Sequence, residues 1–273
     1  MRRAGLIVAV MALMAGCACG TPEGGGAAMA KGPEWKLVWA DEFDRNGAPD
    51  PGKWKPEAGM LRNAELQYYT GIRNANARVE GGMLVLEARK EAWDKAGYTS
   101  ASLTTAGKAS WTYGKFEIRA KIPSGRGMWP AIWMLGDSIG DKGWPACGEL
   151  DIMENVGFDP DRIVCSAHTK AYNHVMKTQR SGTIELKNPS ADFHVYALEW
   201  TAKEIIFRFD DREVYRFSND GQGEDSWPFD HPHYLILNIA VGGGWGGQKG
   251  VDDSIFPQKM LVDYVRVYQR DKR

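Results

Sequence analysis

The sequence predicts an all-β fold, a sandwich of two antiparallel sheets with one sheet curved into a cleft. Two observations carry that expectation. Apolar and polar residues alternate in many short runs bounded by turn residues, which is the period of half-buried strands, and no stretch sustains an amphipathic helical pattern over three turns. With 273 residues, 43% of them hydrophobic, the chain can enclose one large core. About a dozen short strands around one core favour two packed layers.

The N-terminal residues read differently from the rest. Met1-Arg2-Arg3 is basic, Leu6 to Ala15 is apolar and small residues follow, the pattern of an export signal over residues 1–16. It is too short to span a bilayer. Met14-Ala15-Gly16-Cys17 is similar to a bacterial lipobox, with Met14 where leucine is usual. That similarity implies cleavage before Cys17 and a lipid on its sulfur; ordinary cleavage after Ala18 is the alternative. Residues 17–33, rich in Gly and Ala, are expected to be a flexible tether, leaving one domain over 34–273. The chain is then expected to be exported, as an outer-membrane lipoprotein facing the periplasm or the cell surface, or otherwise secreted. Its contact with a membrane would be through that lipid alone.

From Trp35 onward the strands follow in order. Leu37 to Phe43 alternates, Ala77 to Val79 returns through Gly81-Gly82 into Met83 to Arg89, and Ser102 to Thr105, Gly114 to Ile122 and Met128 to Leu135 follow. After the turn Phe158 to Arg162, a further segment carries His168. Phe193 to Phe217 reads as a three-stranded meander, with turns at Thr201 to Lys203 and Asp210-Asp211. Tyr234 to Val241 and Leu261 to Gln269 close the set.

The most informative run is Gly148 to Gly157, Gly-Glu-Leu-Asp-Ile-Met-Glu-Asn-Val-Gly. In a regular strand, Glu149 and Asp151 face one way and Glu154 the other. One inserted residue near Ile152 and Met153, a β-bulge, would return Glu154 to the face of the other two. Leu150, Ile152 and Met153 want burial, so the acids would converge on the opposite surface, and their repulsion would raise the pKa of at least one. Such a set suits glycoside hydrolysis with retention, in which one carboxylate is nucleophile and another is acid, then base. A solvated acidic strand edge is the alternative.

Composition narrows the partners. The formal net charge of −1 offers no electrostatic case for nucleic acid. Eleven tryptophans are the outlier; flat rings suit sugar faces, although many must be core residues. Of the cysteines, Cys147 and Cys165 lie in the folded part and are expected to be buried thiols, with a disulfide as the alternative. His231-Pro232-His233 has no carboxylate or cysteine at metal-site spacing.

Glu-Leu-Asp-Ile-Met-Glu, the preceding Met-Trp-Pro-Ala-Ile-Trp-Met-Leu, the early Trp-Ala-Asp-Glu-Phe-Asp and the late Val-Asp-Tyr-Val-Arg-Val-Tyr together resemble glycoside hydrolase family 16. The similarity runs from about Trp35 to Gln269 and is greatest to the bacterial laminarinases and related endo-β-1,3-glucanases. It implies a β-jelly roll with a substrate groove on the concave sheet. It implies Glu149 as nucleophile, Glu154 as acid/base and Asp151 between them, tuning their protonation. The extra residue places the chain in the bulged branch, apart from branches with a regular Glu-x-Asp-x-Glu strand.

The resemblance also implies substrate-binding positions. Trp129 and Trp133, four apart on one strand face, match a donor-side sugar platform, with core packing as the alternative. Trp245, in a glycine-rich loop, matches a stacking residue at the groove's end, and the loop lacks the lysine of a phosphate cradle. Asn63 and Arg89 would reach the groove or serve as structural hydrogen bonders. His168 would lie on the leaving-group side or be an ordinary strand histidine. No cofactor is expected for catalysis. A structural calcium ion is implied at Glu42, Gly82 and Asp263, of the oxygen-donor kind that this cation prefers. The expected partner is a β-glucan and the expected state a monomer. A galactan hydrolase on the same machinery and a non-catalytic glycan-binding protein are the alternatives.

Overall fold

The alternation becomes β-structure in a computed structural model that describes residues 34–271. The expected signal peptide, the expected tether and the lipidation expected at Cys17 lie outside the described residues. The chain opens with β1 (Lys36–Asp41), β2 (Lys55–Pro56), β3 (Ala58–Gly59), β4 (Gln67–Thr70), β5 (Ala77–Glu80) and β6 (Met83–Trp93). β7 (Ala96–Ser100), β8 (Ser102–Thr104), β9 (Gly114–Lys121) and β10 (Met128–Gly136) follow. A four-residue helix, α1 (Ile139–Lys142), precedes the acid-bearing strand β11 (Glu149–Val156), which pairs with β12 (Asp159–His168). After β13 (Arg180–Glu185) come the meander strands β14 (His194–Trp200), β15 (Glu204–Phe209) and β16 (Arg212–Ser218), then β17 (His233–Val241) and β18 (Gln258–Gln269).

Two sheets result. One runs β16-β15-β14-β9-β18-β6-β7-β4-β3, with β1 and β5 attached, and the other runs β13-β12-β11-β10-β17-β8-β2. Side chains from both fill one core. Leu150, Ile152 and Met153 of β11 are buried there with Phe116, Ile118, Leu198 and Phe207 of the opposite sheet. Trp54, Trp111, Trp200 and Trp227 are also core residues, so part of the tryptophan excess is packing. Cys147 and Cys165 are buried free thiols, and burial raises both above the usual thiol range, which keeps them protonated.

The expected strands are present, with shifted ends. β6 continues four residues past Arg89, and β12 begins inside the segment Phe158 to Arg162 that was expected as a turn. Strands β2, β3, β4, β7 and β13 were not anticipated. Among the described residues no helix is long and apolar enough to cross a membrane.

Candidate active site

The site is built on the bulge in β11. On β10, Ile132 lies opposite Met153 and Trp133 opposite Asp151, so Ile152 has no counterpart. On β12, Ser166 lies opposite Asp151 and Val164 opposite Glu154, again one residue short. The extra residue restores Glu154 to the face of Glu149 and Asp151, while Leu150, Ile152 and Met153 remain in the core. Entry to β11 is equally constrained. Gly148 has φ +83°, and a Cβ there would stand 2.8 Å from His233 Nε2, so only glycine fits without displacement.

The acids lie on the floor of a groove of about 830 Å³ that crosses the second sheet. Asn63, Trp129, Trp133 and Trp245 line it on one side, and His168 lies beside the acids, as the sequence suggests. Trp129 Nε1 donates to Glu154 Oε1 at 3.0 Å, and Trp133 Nε1 donates to Asn238 Oδ1 at 2.7 Å. Trp245 meets Trp129 edge-on, with centroids 5.7 Å apart. His168 lies opposite Glu149 on β12, with Nε2 3.2 Å from Asp151 Oδ2 and 3.8 Å from Glu149 Oε1.

Asn63 is placed by a buried polar network. Its Nδ2 donates to Glu65 Oε1 (3.3 Å), while Gln67 and Tyr69 donate to Glu65 Oε2 and Asn238 Nδ2 donates to the Tyr69 hydroxyl. The segment Asn63 to Gln67 therefore locks the loop to β17 and also presents Asn63 to the groove, so the structural and substrate-facing readings coexist.

Arg89 is a correction. It is absent from the groove lining because β6 continues past it and its guanidinium is held on its own strand, paired with Glu87 and 3.7 Å from Glu91. Arg62 reaches the groove instead. It is paired with Glu57, and its guanidinium lies 5.0 Å from the Trp133 ring centroid. Trp144 joins the site from the loop before β11, where the sequence pattern gives no side-chain direction. Its Nε1 donates to Glu149 Oε2 at 3.1 Å. Val164, Ser166, Ser181 and Thr183 complete the far flank; the first two share the alternation of His168 and became readable once β12 was recognised.

Electrostatics follow from burial. Glu149 is raised well above the usual carboxylate range, first by burial and then by the charge of Asp151, and an imidazolium at His168 would pull it back. Burial also raises Asp151. Glu154 is pushed up to about 8, by burial and then by Asp151. Desolvation, rather than the mutual repulsion expected from the spacing of the acids, is the larger cause. Burial thus favours the neutral form of each of the three, and a carboxyl that ionises among them holds the protons on its neighbours more firmly.

Glu149, Asp151 and His168 are also the one set of metal-type donors among the described residues, within 4.8 Å of one another. A metal there would have to displace the protons that burial favours. His231 and His233 belong to no such set: His231 pairs with Glu224, and His233 is buried against Trp200 and Phe229. The residues expected to hold calcium lie at one sheet corner by register, since Asp41 is opposite Val265 and Leu84 opposite Val262. Both oxygens of Glu42 accept from Arg266 at 2.8 Å, and Asp263 accepts from Arg119 at 2.7 Å. The donor set fits calcium only if both pairs open.

Comparison with known proteins bears on the whole arrangement. A sequence profile of the glycosyl hydrolases of family 16 matches residues 65–266. A β-glucanase of Rhodothermus marinus is 56% identical over 248 residues, covering 88% of this chain and 87% of that protein. The X-ray structure of the laminarinase from Rhodothermus marinus covers 89% of this chain and 100% of its own, with TM-score 0.86 and 55% identity. SCLam, a non-specific endo-β-1,3(4)-glucanase, has TM-score 0.82 and 50% identity over 86% of this chain and 91% of its own.

Proposed function

The chain belongs to glycosyl hydrolase family 16, and from that premise we propose a retaining, endo-acting β-glucanase that cleaves internal β-1,3 linkages, or β-1,4 linkages beside them, in glucans such as laminarin. The convergence of Glu149, Asp151 and Glu154 through the Ile152 bulge, on the floor of a tryptophan-walled groove, carries this reading. The groove crosses five strands, from the Asn63 loop to the edge strand β13, a width of about 19 Å at the usual strand spacing. That width suits a chain of sugars lying across the acids rather than a chain end held in a blind pocket.

In the proposed reaction, an oxygen of ionised Glu149 attacks the anomeric carbon. The glycosidic C–O bond breaks with its electron pair going to the leaving oxygen, which takes the proton of Glu154. Water then attacks the same carbon and gives a proton to Glu154 as the bond to Glu149 breaks, returning both carboxyls to their starting states. Asp151 sets the charge balance between them, with His168 Nε2 3.2 Å from its Oδ2. A glucan fits the aromatic flank formed by Trp129, Trp133 and Trp245.

Incubation with laminarin, mixed-linkage glucan, agarose and carrageenan, followed by product sizing, tests the assignment. Internal cleavage of the first two is expected. Cleavage of a galactan alone would transfer the same chemistry to another polymer, and binding without cleavage would establish a glycan-binding protein. Export, a lipid at Cys17, a monomeric state and an outer-membrane or secreted location are proposed on sequence alone. Calcium at the Glu42–Gly82–Asp263 corner is likewise a proposal, supported by the strand register and opposed by the two arginine pairs.

A further inference from the structure

Each of the two outer glutamates accepts one side-chain hydrogen bond, and in both cases the donor is an indole. Trp129 Nε1 holds Oε1 of Glu154, and Trp144 Nε1 holds Oε2 of Glu149. The opposite oxygens, Glu154 Oε2 and Glu149 Oε1, are not among the buried, unpartnered atoms of the site, whereas Asp151 Oδ2 is. Both glutamates therefore keep one oxygen tied and one open to the groove.

An indole N–H only donates. In a neutral carboxyl group the carbonyl oxygen is a far better acceptor than the hydroxyl oxygen, so the oxygen that faces an N–H is the one left without the proton. The Trp129 contact thus selects one of two positions for the acidic hydrogen on Glu154. In an ionised carboxylate, the same kind of contact draws charge to the tied oxygen and fixes the plane of the group, so that the open oxygen has a set direction. Both indoles are braced from loops: Trp129 by Trp245, edge-on at 5.7 Å, and Trp144 by His174, with centroids 4.9 Å apart.

Resting on the roles proposed above for Glu149 and Glu154, we propose that Trp129 and Trp144 are paired positioning residues: Trp129 confines the acidic proton to Oε2 of Glu154, facing the leaving oxygen, and Trp144 ties Oε2 of Glu149 so that Oε1 attacks. This assigns Trp129 a task beyond stacking and gives a task to Trp144, which the sequence did not single out. Both contacts favour the ionised carboxylate against the burial that favours the neutral acid, so their removal should move pH profiles as well as rates.

The test uses Trp129→Phe and Trp144→Phe, which keep a ring and remove the N–H, each assayed on laminarin and on a dinitrophenyl β-laminaribioside. The dinitrophenolate leaves without a proton, so kcat/KM on it does not depend on the acid. For Trp129→Phe the expected result is a fall of about tenfold on laminarin, the worth of one hydrogen bond to the carboxylate charge that develops on Glu154 as its proton leaves. On the aryl glycoside its fall should be under about threefold, and its alkaline limb on laminarin should move upward. Trp144→Phe should fall by about tenfold on both substrates, because it acts through the nucleophile. Equal losses on both substrates for Trp129→Phe, or no loss on laminarin, would overturn the proposal. If the smaller ring disturbs folding, benzothienylalanine at position 129 removes the N–H at nearly constant shape and carries the same expectation. Glu154→Gln is the control for the underlying roles. If that variant still cleaved laminarin at full rate, the acid/base assignment itself would fail, whatever the indole variants did.

Discussion

The proton on Glu154 is retained by burial first and by the neighbouring charge of Asp151 second. Its folded pKa, about 8, stands above the unfolded value near ~4.3. The stability that this group contributes is therefore fully present below the unfolded value and is lost as pH rises through about 8. Glu154→Gln, which cannot ionise, is expected to raise the melting temperature at pH 8.5 by a few degrees, with the gain vanishing below about pH 4. Thermal denaturation of both proteins across that range checks this. The same titration should bound activity, with kcat/KM on laminarin falling as pH rises through about 8. Two arginines give a second comparison. Arg62 lies over Trp133 in the groove, whereas Arg89 is tied to Glu87 outside it. Arg62→Ala is expected to raise KM for laminarin by about tenfold, the scale of one interaction with a charged donor, and Arg89→Ala to leave KM within about twofold while lowering stability by ~1 kcal/mol. Steady-state kinetics and melting curves separate the two.

A single extra residue in β11 decides whether the acids meet. Deleting Ile152 would leave Glu149-Leu150-Asp151-Met153-Glu154 in regular alternation, with the acids still facing the groove and Leu150 and Met153 still facing the core. That variant is expected to fold and keep measurable activity, reduced by about 100-fold through misplacement of Glu154. If the bulge is kept, an alanine inserted after Met153 reverses the facing of Glu154 and should abolish cleavage; if the strand sheds the bulge, Glu154 returns to the acid face one pleat further along. The assay is laminarin hydrolysis beside circular dichroism, and an inactive, folded deletion variant would show that the bulge does more than set the face. This element was legible in advance, because three apolar residues and three acids in one run leave only a bulge to satisfy both surfaces. The meander was legible from its alternation, and β17 as a short, nearly continuous apolar run of strand length. Strands β4, β7 and β13 were not: Gln67–Thr70 and Arg180–Glu185 are polar or short and owe their strand conformation to pairing with neighbours. Trp144 sits in a loop, where no period marks the direction of a side chain. Arg89 takes the structural one of its two expected roles, because β6 runs four residues past it and pairs it with Glu87.

Across the whole molecule, buried ionisable groups pull stability in opposite directions with pH. His233 starts β17 against Trp200 and Phe229, and burial lowers it to about 4. Below about pH 6.5 the unfolded chain takes up a proton that the native state refuses. Stability should fall as pH drops from there toward about 4, by up to roughly 3 kcal/mol from this residue. The carboxyls of the groove act in the other sense, so the melting temperature should peak in mildly acidic solution. His233→Gln should flatten the acidic side of that curve and leave the alkaline side unchanged. The calcium proposal belongs to the same scale. If an ion ties the N-terminal strand to β18, a chelator should lower the melting temperature; if the Glu42–Arg266 and Asp263–Arg119 pairs already close that corner, it should not. The central claim is that Glu149, brought into line with Glu154 by the bulge, carries the sugar between the two half-reactions. The most direct measurement is peptide mass spectrometry after inactivation with a 2-deoxy-2-fluoro-β-laminaribiosyl fluoride. One glycosyl group on Glu149, absent from Glu149→Gln, is the predicted result. A label on Asp151, Glu154 or any other residue, or turnover with no trapped intermediate and inverted product, would contradict it.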